Sequence, residues 1–178
     1  VVGNMGLETQ WKARETKTAG LYYKDFDNNG SVDPSICFYI QQKSYPYVSR
    51  DELLGQMSNM RTRFPDYKSY ADATITDIFT EEEMKGAQHL KATDLSTTCF
   101  EFGSDQKFHE KVLPLQAQYS PVFTINMVDF NKDGRPDLLL CGNINKARLH
   151  FGKCDSHYGV LLEGDGKGNF NYIKQAQS

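Results

Sequence analysis

The sequence of 178 residues has no apolar run that approaches the ~20 residues a helix needs to cross a lipid bilayer. It also has no block of basic residues, and its net charge is −3. Proteins that bind nucleic acid through its phosphates present a concentrated positive surface, which this composition does not provide. We therefore expect a protein that neither spans a membrane nor binds nucleic acid.

The N-terminal sequence, VVGNMGLETQ, lacks the basic region, the apolar region and the cleavage site of a secretory signal. Either a signal has been removed or the chain is an internal fragment. The N-terminus by itself therefore does not predict a compartment.

Cysteine is scarce, and the four cysteines allow three disulfide pairings among which their spacing does not choose. Cys37, Cys99 and Cys141 lie in apolar runs, whereas Cys154 does not. Because unpaired cysteine behaves as a small hydrophobic residue, we expect buried free thiols in those runs.

Motifs of common catalytic sites are also absent: there is no Gly-x-Ser-x-Gly, no phosphate-binding loop and no dinucleotide fingerprint. His150, Cys154 and His157 form an H-x3-C-x2-H pattern with Asp155 inside it. This is not a known spacing of zinc ligands, so we expect these to be solvated loop residues. Acids for glycoside hydrolysis cannot be separated from metal ligands by sequence. With no nucleophile or general base indicated, we predict a protein that is not an enzyme.

One nonapeptide occurs twice, as DFDNNGSVD at 25–33 and as DFNKDGRPD at 129–137. Both copies have oxygen-bearing side chains at the first, third, fifth and ninth positions and glycine at the sixth. Calcium prefers six to eight oxygen ligands, and glycine permits the sharp bend that brings them together. Without an ion the crowded carboxylates repel one another, so two matched copies favour metal sites over simple Asx turns.

The predicted calcium ligands are Asp25, Asp27, Asn29, the carbonyl of Ser31 and Asp33 in the first loop, and Asp129, Asn131, Asp133, the carbonyl of Arg135 and Asp137 in the second.

The residues around these ligands narrow the kind of site. An EF-hand needs a bidentate glutamate at the twelfth position, where this chain has Ile36 and Leu140 inside apolar strands. The loops are therefore predicted to join two β-strands. In the second loop Lys132 and Arg135 are expected to weaken binding, so the first site is expected to be tighter. The later stretch GDGKGN has Lys167 at a ligand position and is predicted to be a hairpin turn.

The strands around the loops are repeated as well. Segments 21–40 and 122–143 both consist of a strand, the nonapeptide and a second strand, and segments 97–114 and 159–174 both have the pattern of a hairpin. Each unit thus has four predicted antiparallel strands, and VVGNMGLETQWKA fits the last hairpin of a preceding unit. Serial four-stranded units are typical of propeller blades. We predict a mainly β fold, a partial β-propeller, with blade boundaries at 1–18, 19–115 and 116–178.

Between residues 49 and 92 the pattern changes from strand to helix. Ser49 with Glu52, and Thr80 with Glu83, have the spacing of capping boxes. A first helix is predicted to bury its apolar face and to end before Pro65, a second to cover 70–79 and a third to cover 84–91. This helical insertion is expected between the second and third strands of one blade, with its apolar face packed on the sheet.

The stretches DFDNNGSVDP and DFNKDGRPDLLL between strands, with LLEGDGKGNF closing the unit, resemble FG-GAP/VCBS repeats of integrin-α-like β-propellers. The resemblance covers essentially the whole chain and is greatest to large envelope proteins of Bacteroidetes-type bacteria. It implies a piece of a seven-bladed-type propeller, structural calcium in the interstrand loops and an extracytoplasmic location. The second strand of the second unit ends in CGNI rather than in Gly-Ala-Pro, which favours the bacterial VCBS branch and weakens any inference of adhesion to a matrix ligand.

The resemblance implies a non-catalytic module that binds an unknown protein or glycan ligand, or acts as a scaffold, at the cell envelope. The alternative is an accessory or carrier propeller of a polysaccharide-processing enzyme. A fold class by itself does not supply a ligand.

Overall fold

The computed structural model describes residues 1–9, 11–146 and 152–174. Its regular structure is mainly β, with 33% strand and 16% helix, in several antiparallel sheets. The chain forms two compact units, which we call the central unit (Trp11–Asp94) and the split unit (Val1–Gln10 with Leu95–Ser178). The blade boundaries given above divide the chain differently and stay a prediction. Among the described residues, no helix has both the length and the apolar character needed to span a membrane.

The central unit contains a four-stranded antiparallel sheet with the order β3-β2-β1-β4. Strands β1 and β2 flank the first nonapeptide and pair from Gly20 opposite Cys37 to Lys24 opposite Asp33, which confirms the predicted strand, loop and strand. The strands are β1 Ala19–Lys24, β2 Asp33–Ile40, β3 Lys43–Pro46 and β4 Gln88–Ala92.

Five short helices connect β3 to β4. Both predicted capping boxes are present, because Ser49 accepts the N–H of Glu52 and Thr80 accepts the N–H of Glu83. The helices are α1 Arg50–Gln56, α2 Met60–Arg63, α3 Tyr67–Tyr70, α4 Ile75–Ile78 and α5 Glu81–Met84. The predicted apolar face is buried as expected, and the core of this unit is formed by Phe26, Cys37, Leu53, Leu54, Met57, Met60, Phe64, Ala73, Ile75, Ile78 and Phe79.

Two details of the predicted insertion are wrong. The insertion lies between the third and fourth strands rather than the second and third, and the helix predicted for 84–91 is absent from the structure. Helix α5 ends at Met84, and Gly86 has φ +77, a left-handed conformation that stops the helix and is easy only for glycine. The chain then forms β4, which pairs with the free edge of β1 and places His89 opposite Tyr22. The predicted second helix is likewise divided, into α3 and α4.

The split unit contains a four-stranded antiparallel sheet with the order β10-β9-β8-β7. This arrangement confirms the four strands predicted for the second unit, including the hairpin at 159–174. The strands are β7 Thr124–Val128, β8 Asp137–Cys141, β9 Val160–Gly164 and β10 Phe170–Tyr172. Leu138, Leu140 and Leu162 are completely buried and form the centre of the core of this unit.

The remaining strands of the split unit correct two predictions. The hairpin at 97–114 is present as β5 Thr98–Phe102 and β6 Phe108–Val112, but it forms its own two-stranded sheet and does not complete the sheet of β1 and β2. The edges of that sheet are instead occupied by β3 and β4. In the described N-terminal residues, 1–9, Val2 bridges Thr98 instead of forming a hairpin. A 3-10 helix, Leu115–Gln118, follows β6.

All four cysteines are free thiols. Cys37 and Cys99 are buried as predicted, whereas Cys141 is half-buried, like Cys154. Burial raises the pKa of the Cys37 thiol to about 12, so this group remains protonated and behaves as an apolar core residue.

Candidate metal-binding site

The first loop, which joins β1 to β2, is organised by its own carboxylates. Asp25 accepts the backbone N–H of Asn29 at 3.0 Å and that of Gly30 at 2.8 Å. At the other end, Asp33 accepts the N–H of Phe26 at 2.9 Å. These bonds curl the loop around the side chains at its first and ninth positions.

Both loops need two left-handed residues in order to curl. In the first loop these are Asn28 with φ +58 and Gly30 with φ +89, and in the second they are Lys132 with φ +61 and Gly134 with φ +82. A Cβ atom added at either glycine would meet no atom within 4 Å. Glycine is therefore required for its conformation and not for lack of space.

Three carboxylates of the first loop converge. One oxygen each of Asp25, Asp27 and Asp33 lies within 4.8 Å of the other two. Ligands on opposite sides of a calcium ion are about 5 Å apart, since each bond is roughly 2.3–2.6 Å, so the three acids fit such an ion. Asp33 is buried whereas Asp25 and Asp27 are half-exposed, so that solvent reaches the cluster from one side.

The other two predicted residues of the first loop lie on its exposed side. Asn29 accepts the N–H of Ser31 through its side-chain oxygen at 2.8 Å, which holds the turn after the bend. Both residues are exposed, in contrast to the three acids. They therefore complete the turn around the cluster that the acids form.

The second loop, which joins β7 to β8, repeats these hydrogen bonds position by position. Asp129 accepts the N–H of Asp133 at 3.0 Å and that of Gly134 at 2.9 Å. Asp137 accepts the N–H of Phe130 at 2.9 Å. The repeated spacing in the sequence thus encodes a repeated backbone conformation.

The second loop differs from the first in the charges around its acids. Arg135 donates to Asp133 from Nε at 2.9 Å, and this ion pair lowers the pKa of Asp133 to about 2. Asn131 donates to the same carboxylate at 3.0 Å. Asp137 uses its second oxygen to accept the N–H of Gly164 at 3.0 Å. The third position is Asp27 in the first loop but Asn131 in the second, and the acid at the fifth position of the second loop, Asp133, is paired with Arg135. Across the described ranges only the first loop forms a three-acid cluster.

Outside the loops, the candidate zinc residues are not placed as expected. His150 lies outside the described residues, and Cys154 is half-buried. His157 was predicted to be solvated, but it is only 4% exposed, so that prediction is wrong. The cause is Asn143, which accepts the N–H of His157 at 3.0 Å and donates to its carbonyl at 2.7 Å, and so holds this segment against the unit.

Burial lowers the pKa of His157, and the nearby backbone of Gln116 offsets only part of this shift. Within the described chain neither ring nitrogen has a hydrogen-bond partner that would stabilise an imidazolium. The folded-state pKa is thus below the unfolded value of about 6.5. The unfolded chain binds the proton more readily, so stability must fall as the pH drops from about 7.5 through 6.5.

We expect His157→Gln to remove this part of the pH dependence. The difference in free energy of unfolding between the unaltered protein and the variant should decrease as the pH is lowered from about 7.5 to about 5.5. Urea unfolding at a series of pH values measures this difference. A difference that does not change with pH would contradict the prediction.

Comparison of the chain with protein-family models, with curated proteins and with solved structures gives no match. The resemblance to FG-GAP/VCBS repeats consequently depends on the residues of the two loops and their flanking strands. The converging groups of the first loop are carboxylate oxygens, the ligands that hard divalent cations prefer, so this cluster could hold such an ion.

Proposed function

We propose that the chain is a non-catalytic, calcium-binding module of the FG-GAP/VCBS repeat type, a piece of a β-propeller. It binds a protein or glycan ligand, or acts as a scaffold, at the cell envelope outside the cytoplasm. The observation on which this proposal rests is the convergence of Asp25, Asp27 and Asp33 in a loop whose conformation the chain repeats. Support for the propeller comes from β7 to β10, which pair in chain order as the strands of a blade do.

Calcium has a structural role in this proposal. Asp25 follows β1 by one residue, and Asp33 is the first residue of β2. An ion held by both acids therefore ties the ends of two paired strands and relieves the repulsion between the carboxylates. Because the ion binds the folded loop and not the unfolded chain, it raises the free energy of unfolding.

The two loops are proposed to differ in affinity. The first loop has three acids, and no Lys or Arg lies among its nine residues. In the second loop the guanidinium of Arg135 supplies the positive charge that an ion would otherwise bring to Asp133. Calcium binding there has to displace this ion pair, so the second site is proposed to be the weaker one.

We expect Asp27→Asn to weaken calcium binding at least about tenfold. Asparagine keeps the size of the side chain and an acceptor for the N–H of Asn29, now bonded at 3.2 Å, but it removes one of the charges that attract the ion. Isothermal calorimetry with calcium measures the affinity. Asp72→Asn is the matched control, because it removes an exposed acid of the same unit outside the loop. If the unaltered chain neither binds calcium nor is stabilised by it, the proposal fails.

We expect Arg135→Ser to create a second, measurable calcium-binding event. The substitution gives the second loop the residue that the first loop has at this position, Ser31, and releases the carboxylate of Asp133. Calorimetry should show a higher stoichiometry for this variant than for the unaltered protein. Arg135→Lys, which keeps a positive charge, should not show it. An unchanged stoichiometry for Arg135→Ser would mean that the ion pair is not the reason for the proposed difference in calcium affinity between the two loops.

A further inference from the structure

One face of the β5–β6 hairpin in the split unit exposes four large apolar side chains together with the carboxylate of Glu110, which lies opposite Phe100. Phe100, Phe102, Phe108 and Val112 are 43%, 61%, 72% and 90% exposed. They share one face because Phe108 lies opposite Phe102 and the others follow at alternate positions of the strands. Cys99, on the other face, is buried in the core. A contiguous exposed patch of this kind is typical of an interaction surface.

No described residue pairs with the outer edge of β6. Gly103 donates its N–H to the carbonyl of Lys107 at 2.8 Å, so these two residues form a hydrogen-bonded pair. Every second pair along the hairpin from there is hydrogen-bonded as well. In the alternating antiparallel pattern, the N–H and C=O groups of Phe108, Glu110 and Val112 then point away from β5. Among the described strands, β6 pairs with β5 alone. Three residues thus offer a row of donors and acceptors beside the apolar face.

The opposite edge of the hairpin already binds an added extended segment. Val2 donates its N–H to the carbonyl of Thr98 at 2.8 Å and accepts the N–H of Thr98 at 3.0 Å. Thr98 lies opposite Val112 in the register of the hairpin. The same pair of residues thus bonds an extended segment on the β5 side and presents free groups on the β6 side.

A hollow of about 180 Å³ lies at the end of the hairpin where Thr98 pairs with Val112. Its apolar lining includes Val112, Leu113 and Leu115, and Glu110 belongs to its polar lining. Leu113 is buried while Val112 and Leu115 are exposed, so the hollow opens towards solvent. It can receive an apolar side chain from a strand that pairs with β6, and the exposed carboxylate of Glu110 favours a basic residue nearby.

We propose that the edge of β6 binds an extended segment of a partner protein as an added strand. Backbone bonds to Phe108, Glu110 and Val112 supply affinity, while an apolar side chain in the hollow and a lysine or arginine opposite Glu110 supply specificity. This proposal does not depend on the calcium loops.

A second copy of the chain fits this edge less well. Twofold antiparallel pairing of β6 with itself about Glu110 places the two carboxylates opposite each other, which is destabilising. The three exposed phenylalanines present roughly 350 Å² of surface. Each partner in a stable dimer buries about 800 Å², so the patch matches a short segment better than a second globular surface.

The test is a selection of displayed random peptides of about twelve residues on the unaltered protein. Enriched peptides should alternate apolar and polar residues and contain a basic residue. Val112→Pro removes one outward N–H and leaves the β5–β6 bonds in place, since proline is tolerated at strand edges. This substitution should weaken the binding of an enriched peptide at least about tenfold. Val112→Thr, which keeps the N–H and the β-branch, should bind it as the unaltered protein does.

A peptide N-methylated at alternate residues gives a second measurement on the unaltered protein, so the result does not depend on the folding of a variant. It should lose binding because it lacks the donors of an added strand. Failure to enrich any peptide, or equal binding of the methylated peptide, would overturn the proposal. Self-association of the protein that Val112→Pro abolishes would overturn it in favour of a second copy.

Discussion

Replacing Asp137 by alanine is expected to lower the free energy of unfolding of the split unit by roughly 3–5 kcal/mol. Asp137 is completely buried. Its two oxygens accept the N–H of Phe130 at 2.9 Å and that of Gly164 at 3.0 Å, and so join the second loop to β9. Alanine leaves the buried N–H of Gly164 and the part-buried N–H of Phe130 without an acceptor, at a cost of about 1–3 kcal/mol for a fully buried donor and less for a partly buried one.

Asp129→Ala is the matched control for this prediction. Asp129 also accepts two backbone N–H groups, those of Asp133 and Gly134, but all three residues are exposed. Water can replace the lost acceptor there, so the expected loss is about 1 kcal/mol or less. Asp137→Asn, which keeps one acceptor oxygen, should give an intermediate loss.

The measurement has to distinguish the two units. The only tryptophan, Trp11, lies in the central unit, so its fluorescence does not report on the split unit. Amide hydrogen exchange at Leu138, Leu140 and Leu162, which form the core of the split unit, reports its opening directly. If Asp137→Ala and Asp129→Ala lower the free energy of unfolding equally, burial of the carboxylate does not determine the size of the loss.

The two loops were predictable because their information is local. Fixed spacing of Asp, Asn and Gly determines which backbone N–H each side chain reaches, and the structure has these bonds in both copies. The contact of Arg135 with Asp133 is local in the same way, since the two residues are two positions apart, and its effect on metal binding stays a prediction. The pattern does not predict the hydrogen bond from the N–H of Gly164 to Asp137, because Gly164 belongs to a different hairpin.

The pairing of strands was less predictable because it depends on distant residues. The hairpin at 97–114 has the same local pattern as the one at 159–174, yet only the latter joins the sheet that precedes it in the chain. Strand β3, with the sequence KSYP, is short and ends in proline, and it has no strong strand signal of its own. The burial of His157 depends on Asn143, fourteen residues away in the chain, and no periodicity indicates it.

Replacing Phe79 by alanine is expected to lower the free energy of unfolding of the central unit by about 3–5 kcal/mol. Phe79 is 1% exposed and stacks on Phe26 with ring centroids 3.9 Å apart. The substitution removes this contact and leaves a cavity where the helical insertion packs under the first loop. Phe79→Leu fills most of that volume and should lose much less, since core substitutions that nearly conserve volume usually cost less than about 1.5 kcal/mol.

Fluorescence of Trp11 during urea unfolding reports this change, because the indole packs edge-on against Tyr47 in the same unit. Losses below about 1 kcal/mol for Phe79→Ala would contradict the prediction.

The same substitution tests whether the insertion supports the first loop and the calcium binding proposed for it. Phe26 is the second residue of that loop, and its N–H donates to the candidate ligand Asp33. If the stack with Phe79 fixes this N–H, the folded Phe79→Ala protein should bind calcium more weakly at low temperature, where it remains folded, and Phe79→Leu should bind nearly as the unaltered protein does. If instead the affinities of all three proteins are equal, Asp33 is positioned by β2 alone. The insertion would then stabilise the sheet without contributing to the candidate metal site.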